Sequence, residues 1–584
     1  MRSKSFLRLL VGAAVFLAGY SAARGQTFYG SMVGTVSDAT GAAIPGTAVT
    51  LTNLGTTVKR TIESDASGSY QFVNLIPGRY RVEAEKAGFK HFTREPIVVE
   101  VQNALRIDIA MELGNAATQT VEVTAQTPLL QSSTSELGQV VEARKVTEMP
   151  LNGRNPLALV ALVPGVVPQG GKDNSSTGNP TGTNIFAWGN IQIGGGQANQ
   201  SATLIDGASV NTIYVHLLSL VPTQDSIQEF KVQTNNLGPE WGRLAGGVIN
   251  LTTKSGSNEF HGSAYEFLRN KVLNANDFFN NASGIGRPPF TQNQFGANAG
   301  GRIIHEKLFW FGSYEGFRQR LGRSYLLSVP TQAERNGDFS DLRDSSGNVI
   351  PIYDPLTTCG RLGNPACAID PGPDGIIGTA DDGGEIITRQ QFSGNIIPQN
   401  RLDTTAKILS GFWAPPTLPG QPFTRLNNFA TNASVGGNND QWTSRIDWNK
   451  SDKQRIFGRF TNWTALSLAI DPYKSGICQD RCEESWYTRQ FVLDDVYSFS
   501  PTTILDVRLS YLRFWYNRAP TSLGVDLTTF GWPASLNSQV AWKHIPTPCV
   551  SGFSDIFCSQ GAGSGIFARD DNYAVAPSLT KIYH

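Results

Sequence analysis

Leu505-Asp506-Val507-Arg508-Leu509-Ser510-Tyr511 alternates without a break, apolar at odd positions and polar at even ones. A period of two is that of an extended strand, so Leu505, Val507, Leu509 and Tyr511 share one face, with Asp506, Arg508 and Ser510 on the other. The ladder then blurs into Leu512-Arg513-Phe514-Trp515-Tyr516. Aromatic residues crowded at a strand end suit the girdle of a membrane-spanning barrel.

Elsewhere one hairpin repeats the pattern, and an earlier one follows it poorly. Gln441 to Trp463 reads as two strands joined by the polar turn Asn449-Lys450-Ser451-Asp452-Lys453, with Trp442, Ile446 and Trp448 on one face and Arg445 and Asp447 on the other. An earlier hairpin starts near Phe295, turns at Ile304-His305-Glu306-Lys307 and returns through Leu308–Glu315. About eight strands can be marked, the last from near Asn572 to His584. Connections over 323–440 and 519–569 are far longer than compact soluble domains use, whereas outer-membrane barrels pair short turns with long external loops. Alternation alone fits a series of soluble sandwiches equally well. The pattern is cut off at His584, before a barrel of about 22 strands would close; an open edge cannot face lipid, so a fragment or truncated product is expected.

Composition narrows the class. The 48 basic and 48 acidic residues cancel, which removes nucleic acid as a partner, since phosphate binding needs a basic excess. With 60 Gly, 31 Pro and 16% charged residues, the chain suits β structure with long polar loops and is expected to be mainly β. Arg2, Lys4 and Arg8 precede the uncharged run Leu9–Tyr20, and Ser21-Ala22-Ala23-Arg24-Gly25-Gln26 follows. This describes a secretory signal peptide, residues 1–25, cut after Gly25. The run is too short to span a bilayer as a helix. The six cysteines form local pairs in turn-rich stretches: Cys359/Cys367, Cys478/Cys482 and Cys549/Cys558. Three short-loop disulfides are expected in an oxidising compartment, with free thiols the alternative.

Residues 27–114 read as a small β-sandwich, with short strands between Gly/Pro/Asp turns. Gly34-Thr35-Val36 before Ile44-Pro45-Gly46, Asp65 to Phe72, and Leu75-Ile76-Pro77-Gly78-Arg79-Tyr80-Arg81-Val82 resemble the carboxypeptidase regulatory-like domain, a transthyretin-like, carbohydrate-binding-like fold. The resemblance implies nothing catalytic. No zinc-peptidase motif occurs, and no aromatic platform argues for sugar binding.

Residues 115–254 change character. Leu204-Ile205-Asp206-Gly207-Ala208 and Gly246-Gly247-Val248-Ile249-Asn250-Leu251-Thr252-Thr253-Lys254 resemble the plug of TonB-dependent outer-membrane receptors, in the Oar-like subgroup that places a regulatory-like domain before the plug. Asp206, Gly207, Gly246, Gly247 and Asn250 carry that motif. The resemblance implies a mixed plug at 115–254 and the first part of a barrel at 255–584, in the cell outer membrane. It also implies, as partners, outer-membrane lipid, a periplasmic TonB-type energy-coupling protein and an external ligand. Gln119-Thr120-Val121-Glu122-Val123-Thr124-Ala125 resembles the TonB box, and its alternation suits a peptide that adds to a sheet edge; a first plug strand is the alternative.

Chemistry is sparse elsewhere. Gly170-Gly171-Lys172-Asp173 lacks the spacing of a phosphate loop, and the six histidines are scattered, so no enzyme and no resident cofactor is expected. Asp370, Asp374 and Asp381 stand at positions 1, 5 and 12 of a calcium loop, but Gly372 at position 3 makes a solvated acidic turn the plainer reading. The expected function is import of an external ligand, an oligosaccharide or another large nutrient, with a structural or adhesive protein displaying large loops as the alternative.

Overall fold

A computed structural model describes residues 28–114, 121–122, 136–151, 153–168, 191–213, 216, 218–238, 241–242, 244–278, 281, 286–361, 363–476, 482–500, 502–546, 550–556 and 565–582. The signal peptide expected at 1–25 lies outside them, as do Cys478, Cys549 and Cys558.

The first unit is a sandwich. Strands β1 (Gly30–Asp38), β2 (Ala48–Asn53), β3 (Lys59–Glu63), β4 (Ser69–Leu75), β5 (Gly78–Glu85), β6 (Phe92–Val99), β7 (Ala104–Arg106) and β8 (Ile109–Met111) form two sheets. One has the order β4-β1-β7, with β8 also pairing β1; the other runs β3-β2-β5-β6 and is extended by β9 (Val121–Glu122). Alternate residues turn inward, so Met32, Val49, Phe72, Val82 and Ile109 make one apolar core.

A second, mixed unit follows: β10 (Leu137–Val141), a short helix at Ala143–Glu148, β11 (Val166–Pro168) paired with β12 (Ile191–Ile193), then β13 (Ala202–Ile205), β14 (Ala208–Ser209), β15 (Ile227–Asn235) and β16 (Val248–Thr253). Its five-stranded sheet has the order β10-β15-β16-β13-β14, with β13 and β16 parallel. Every residue of β16 is buried, as a central strand covered on both faces requires.

The third unit is an antiparallel wall of eight strands in sequence order. These are β17 (His261–Asn270), β18 (Phe290–Ile304), β19 (Leu308–Leu327), then, past a small loop ribbon of β20 (Ala368–Ile369) and β21 (Glu385–Ile386), β22 (Phe429–Ser451), β23 (Gln454–Ser467), β24 (Glu484–Ser500), β25 (Thr503–Arg518) and β26 (Ile566–Lys581). Apolar residues face outward: Trp442, Ile446 and Trp448 are 44%, 50% and 42% exposed. The inward face carries polar and charged residues, Arg445 among them at 1%.

The wall corrects three expectations. Leu512, Phe514 and Tyr516 are not girdle residues: all three point inward and are buried, and Phe514 and Tyr516 pack with Trp463 and Trp486 against the five-stranded unit. The alternation never breaks there; its inner face turns apolar because protein, not water, covers it. The long connections shrink to 328–428 and 519–565 because β19 and β22 pair five residues beyond Gly322, to Leu327 opposite Phe429, through Gly and Asn positions that carry no hydropathy signal. The last strand begins at Ile566, six residues before Asn572.

Turns 305–307 and 452–453 close one rim, against which the sandwich sits. The long connections gather at the other rim. Val329 and Trp413 from the first, Ile545 and Ile556 from the second, and Tyr473 from the shorter connection between β23 and β24 share an apolar core. The Arg335 guanidinium pins this cap by donating to the carbonyls of Ser410, Trp413 and Ala414 at 2.7–2.9 Å.

Candidate functional site

The five-stranded unit meets the inner face of the wall at three ionic stations. The first is built on the tight turn between β13 and β14. Asp206 has φ +50° and Gly207 φ +72°, which together aim the Asp206 carboxylate along the sheet. It accepts from the Thr253 amide at 2.9 Å, the Thr253 hydroxyl at 2.7 Å and Arg445 Nη1 at 3.1 Å, and Arg459 Nε stands 2.8 Å away. Arg445 also donates to Asp447 at 2.8 Å, and Arg459 to the Ile205 carbonyl at 3.1 Å and Gln490 at 2.9 Å. Full burial would raise the Asp206 pKa, yet Arg445, Arg459 and the two Thr253 bonds hold it below the usual carboxylate range.

The second station centres on Arg508, which donates to Asp494 at 2.8 Å, lies 3.5 Å from Asp506 and reaches the Gly207 carbonyl at 3.4 Å. Position 207 favours glycine, because its φ of +72° is one that L side chains rarely adopt and a Cβ there would press on the Arg508 guanidinium. The sandwich enters this station through its first residues. The Tyr29 hydroxyl donates to Asp494 at 2.7 Å, and Phe28 lies edge-on to Phe457 beneath the Arg508 guanidinium. Burial, with Asp494 and Asp506, pushes the Tyr29 hydroxyl well above its ordinary pKa.

At the third, Arg154 pairs with Asp225 at 2.5 Å and Glu315 at 3.4 Å while covering the Tyr265 ring at 4.2 Å. The Tyr265 hydroxyl donates to Glu315 at 2.6 Å.

The seam between sandwich and five-stranded unit is of another kind. Glu229, 5% exposed, accepts the Val101 amide at 2.5 Å, and Lys231 Nζ donates to the Gln102 carbonyl at 2.8 Å. Burial first, then Glu100 and Glu142, raise the Glu229 carboxyl to about 8, against the opposing Val101 bond.

The residues singled out in the sequence fall as follows. Asp206 and Gly207 make the first two stations. Gly246 and Gly247 lead into β16 away from them; a Cβ on Gly247 would collide with Ile193 Cγ2. Asn250 is buried in β16, its side-chain amide without a hydrogen-bond partner among the described residues. Of Gln119–Ala125, Val121 and Glu122 are described; they pair in parallel with Phe92 and Thr93 on the sandwich edge, while Gln119, Thr120, Val123, Thr124 and Ala125 lie outside the described residues. Cys359 and Cys367 form a disulfide with a Cα–Cα distance of 4.8 Å, and Cys482 is buried and disulfide-bonded.

Asp370, Asp374 and Asp381 share one loop but turn their oxygens to its own donors: the amides of Gly372, Ile376 and Asp374 and the Thr379 hydroxyl. Among the described residues no three His, Cys, Asp or Glu side chains gather as metal ligands.

Sequence reasoning put Arg445, Asp447, Asp506 and Arg508 on the polar strand faces but missed the contacts across the seam, Arg445 with Asp206 and Arg508 with Gly207, which lie 239 and 301 positions apart. An arginine on an inward strand face, opposite a buried Asp-Gly turn, is the signal that could have joined them. The stations tie the five-stranded unit to the inner face of the wall by charge pairs.

Comparison with known proteins agrees with this architecture. Residues 252–583 match the outer membrane beta barrel domain family, and residues 31–112 match the carboxypeptidase regulatory-like domain. The TonB-dependent transporter Oar of Myxococcus xanthus is 26% identical over 355 residues, covering 58% of this chain and 30% of that relative. The chain therefore spans less than a third of that relative's length. Among solved structures, the outer membrane transporter YddB from Escherichia coli is similar at 12% identity and a TM-score of 0.37, over 65% of this chain and 39% of that one. A mutant of the ferric enterobactin receptor PfeA from Pseudomonas aeruginosa, in complex with enterobactin, has the same identity and score over 77% and 47%. With its matched segment spanning more than half its length, the chain belongs to the outer membrane beta barrel domain family and is a protein of the cell outer membrane.

Proposed function

We propose that this protein is a TonB-dependent receptor that imports an external ligand, with residues 115–254 as its plug, the wall as part of its barrel, and a periplasmic TonB-type protein supplying energy. The carrying observation is the folded five-stranded unit clamped to the inner wall by the Asp206, Arg508 and Arg154 stations: a barrel serving only as a scaffold has no need of a removable unit held by charge pairs. The similarity to Oar supports the same reading. In it, Gln119–Ala125 is the coupling segment, and Val121 and Glu122 already lie along a sheet edge, as strand addition requires.

Val121→Pro and Val123→Pro test it, because proline removes an amide donor and fixes φ. The probe is a purified TonB C-terminal domain, photo-cross-linked to a label placed at Thr120 in the intact protein in outer membranes. Cross-linking is expected in the parent and lost in both proline variants, with outer-membrane localisation and heat-modifiable migration unchanged. No cross-link in the parent, or an equal yield in all three, overturns the reading. The cap formed by the two long connections and the shorter one between β23 and β24 favours a second role, surface display. A cell-adhesion assay on protein lacking 340–400 tests that role, and it fails if adhesion is unchanged.

A further inference from the structure

Where the sandwich, the five-stranded unit and the wall meet, a cleft of about 380 Å³ opens, lined by Arg60 and Arg79 of the sandwich, Gln228 and Ser257, and Asp447 and Arg455 of the wall. Arg60 Nη1 donates to the Val73 carbonyl at 2.7 Å, and Arg455 Nη2 to the next carbonyl along the same strand, Asn74, at 2.6 Å. Two guanidiniums from different units are thus anchored side by side. Aromatic faces support them, Phe72 under Arg60 at 5.8 Å and Tyr29 under Arg455 at 5.4 Å.

What is missing is a paired carboxylate. Among the described residues no carboxylate lies within ion-pair distance of Arg60, Arg79 or Arg455; Asp506 acts on Arg455 only from farther off, and the Asp447 carboxylate in the cleft is already taken by Arg445 through both oxygens. Carbonyl oxygens and ring faces satisfy donors, but they do not cancel three positive charges gathered in one concavity. Burial and the like charge of Arg455 pull the Arg60 guanidinium down to about 10. Such a cleft focuses positive potential, and paired guanidinium forks match the oxygens of a phosphate or pyrophosphate group.

We propose that this cleft binds a phosphate-class oxyanion, which bridges Arg60 and Arg79 of the sandwich to Arg455 of the wall and fastens the sandwich over the short-turn rim. The anion comes either as a free solute or as a phospholipid headgroup. The site is separate from the coupling segment and does not depend on what the receptor imports.

Titration of the intact purified protein with pyrophosphate tests this, first in lipid-free detergent and then in phosphatidylglycerol nanodiscs. Saturable binding is expected, weakened roughly tenfold or more by Arg60→Gln or Arg455→Gln, the scale of one lost charge-assisted hydrogen bond. Arg455→Lys, which keeps the charge but not the fork, falls between. Arg361→Gln, on the distant cap, leaves binding unchanged. Heat-modifiable migration and amide protection of β2 and β5 check that each variant is folded. Binding in both media assigns a free oxyanion. Binding in detergent that disappears in nanodiscs assigns the headgroup as occupant. No saturable binding up to millimolar pyrophosphate in detergent, or equal affinity in folded Arg60→Gln and Arg455→Gln, overturns the proposal.

Discussion

The five-stranded unit is held on two sides by seams of opposite electrical character. Toward the wall, the buried Asp206 faces two arginines, and its carboxyl is held below the usual range. Toward the sandwich, the buried Glu229 makes no ion pair among the described residues, and its carboxyl is raised to about 8. Both carboxylates are almost fully buried; the difference lies in what surrounds them. The linkage signs are therefore opposite. Asp206 contributes stability that is present above its unfolded pKa and lost as pH falls through its lower folded value. Glu229 binds its proton more tightly folded than unfolded, so its seam is firmest below about pH 4.5 and weakens as pH rises through about 8. Across neutral pH the wall seam is constant and the sandwich seam is not.

Breaking the wall seam gives the largest effect. Asp206→Ala leaves Arg445 and Arg459 buried, Arg459 without its carboxylate partner among the described residues. Removing one partner of a buried pair costs about 3–5 kcal/mol. The expected outcome is proteolytic cleavage within 202–211 in isolated outer membranes while the wall stays heat-modifiable. Resistance equal to the parent would show that the turn is held by packing alone.

Glu229→Gln comes next. It keeps an oxygen for the Val101 amide and removes the titration. Between pH 5 and 8 the parent seam should weaken by roughly 3 kcal/mol, from a shift of 4.5 to about 8 at about 1.4 kcal/mol per unit. Amide exchange of 99–103 and 227–235 at the two pH values reads this directly. With the intrinsic base-catalysed rate divided out, the parent should show lower protection at pH 8 than at pH 5, and the variant equal protection at both. A parent with no pH dependence would mean that Glu229 is solvated.

The two seams also differ in how far they could be read beforehand. Alternation in β22 and β25 placed Arg445, Asp447, Asp506 and Arg508 on one face correctly, because a two-residue period needs nothing beyond the strand itself. The Asp206-Gly207 turn stood out as a motif, but its tie to Arg445 spans 239 positions and leaves no local signal. Glu229 stands in Gln228-Glu229-Phe230-Lys231 with no local mark of its role, and only the docking of Val101 against it makes it unusual. The inward Phe514 and Tyr516 were misread for the same reason: burial by another unit cannot be seen from the strand being buried.

The smallest effect sharpens the comparison most. Tyr29 belongs to the sandwich, yet its hydroxyl is bonded to Asp494 of the wall, so it grips past the five-stranded unit altogether. Tyr29→Phe removes that donor and leaves the ring against Phe28 and Arg455. Asp494 keeps Arg508 at its other oxygen, so the loss should be about 1.5 kcal/mol, the low end for a hydrogen bond to a charged group. The Tyr29 hydroxyl has its pKa raised further, so it stays neutral across the range in which Glu229 titrates. The cost of Tyr29→Phe should therefore be the same at pH 5.5 and pH 8, measured as faster exchange in β1 and β4. In the double variant with Glu229→Gln the two effects should add to within about 0.5 kcal/mol if the grips are independent. Strong non-additivity would show instead that the sandwich is held as one piece, with the wall contact formed only when the Glu229 seam is closed.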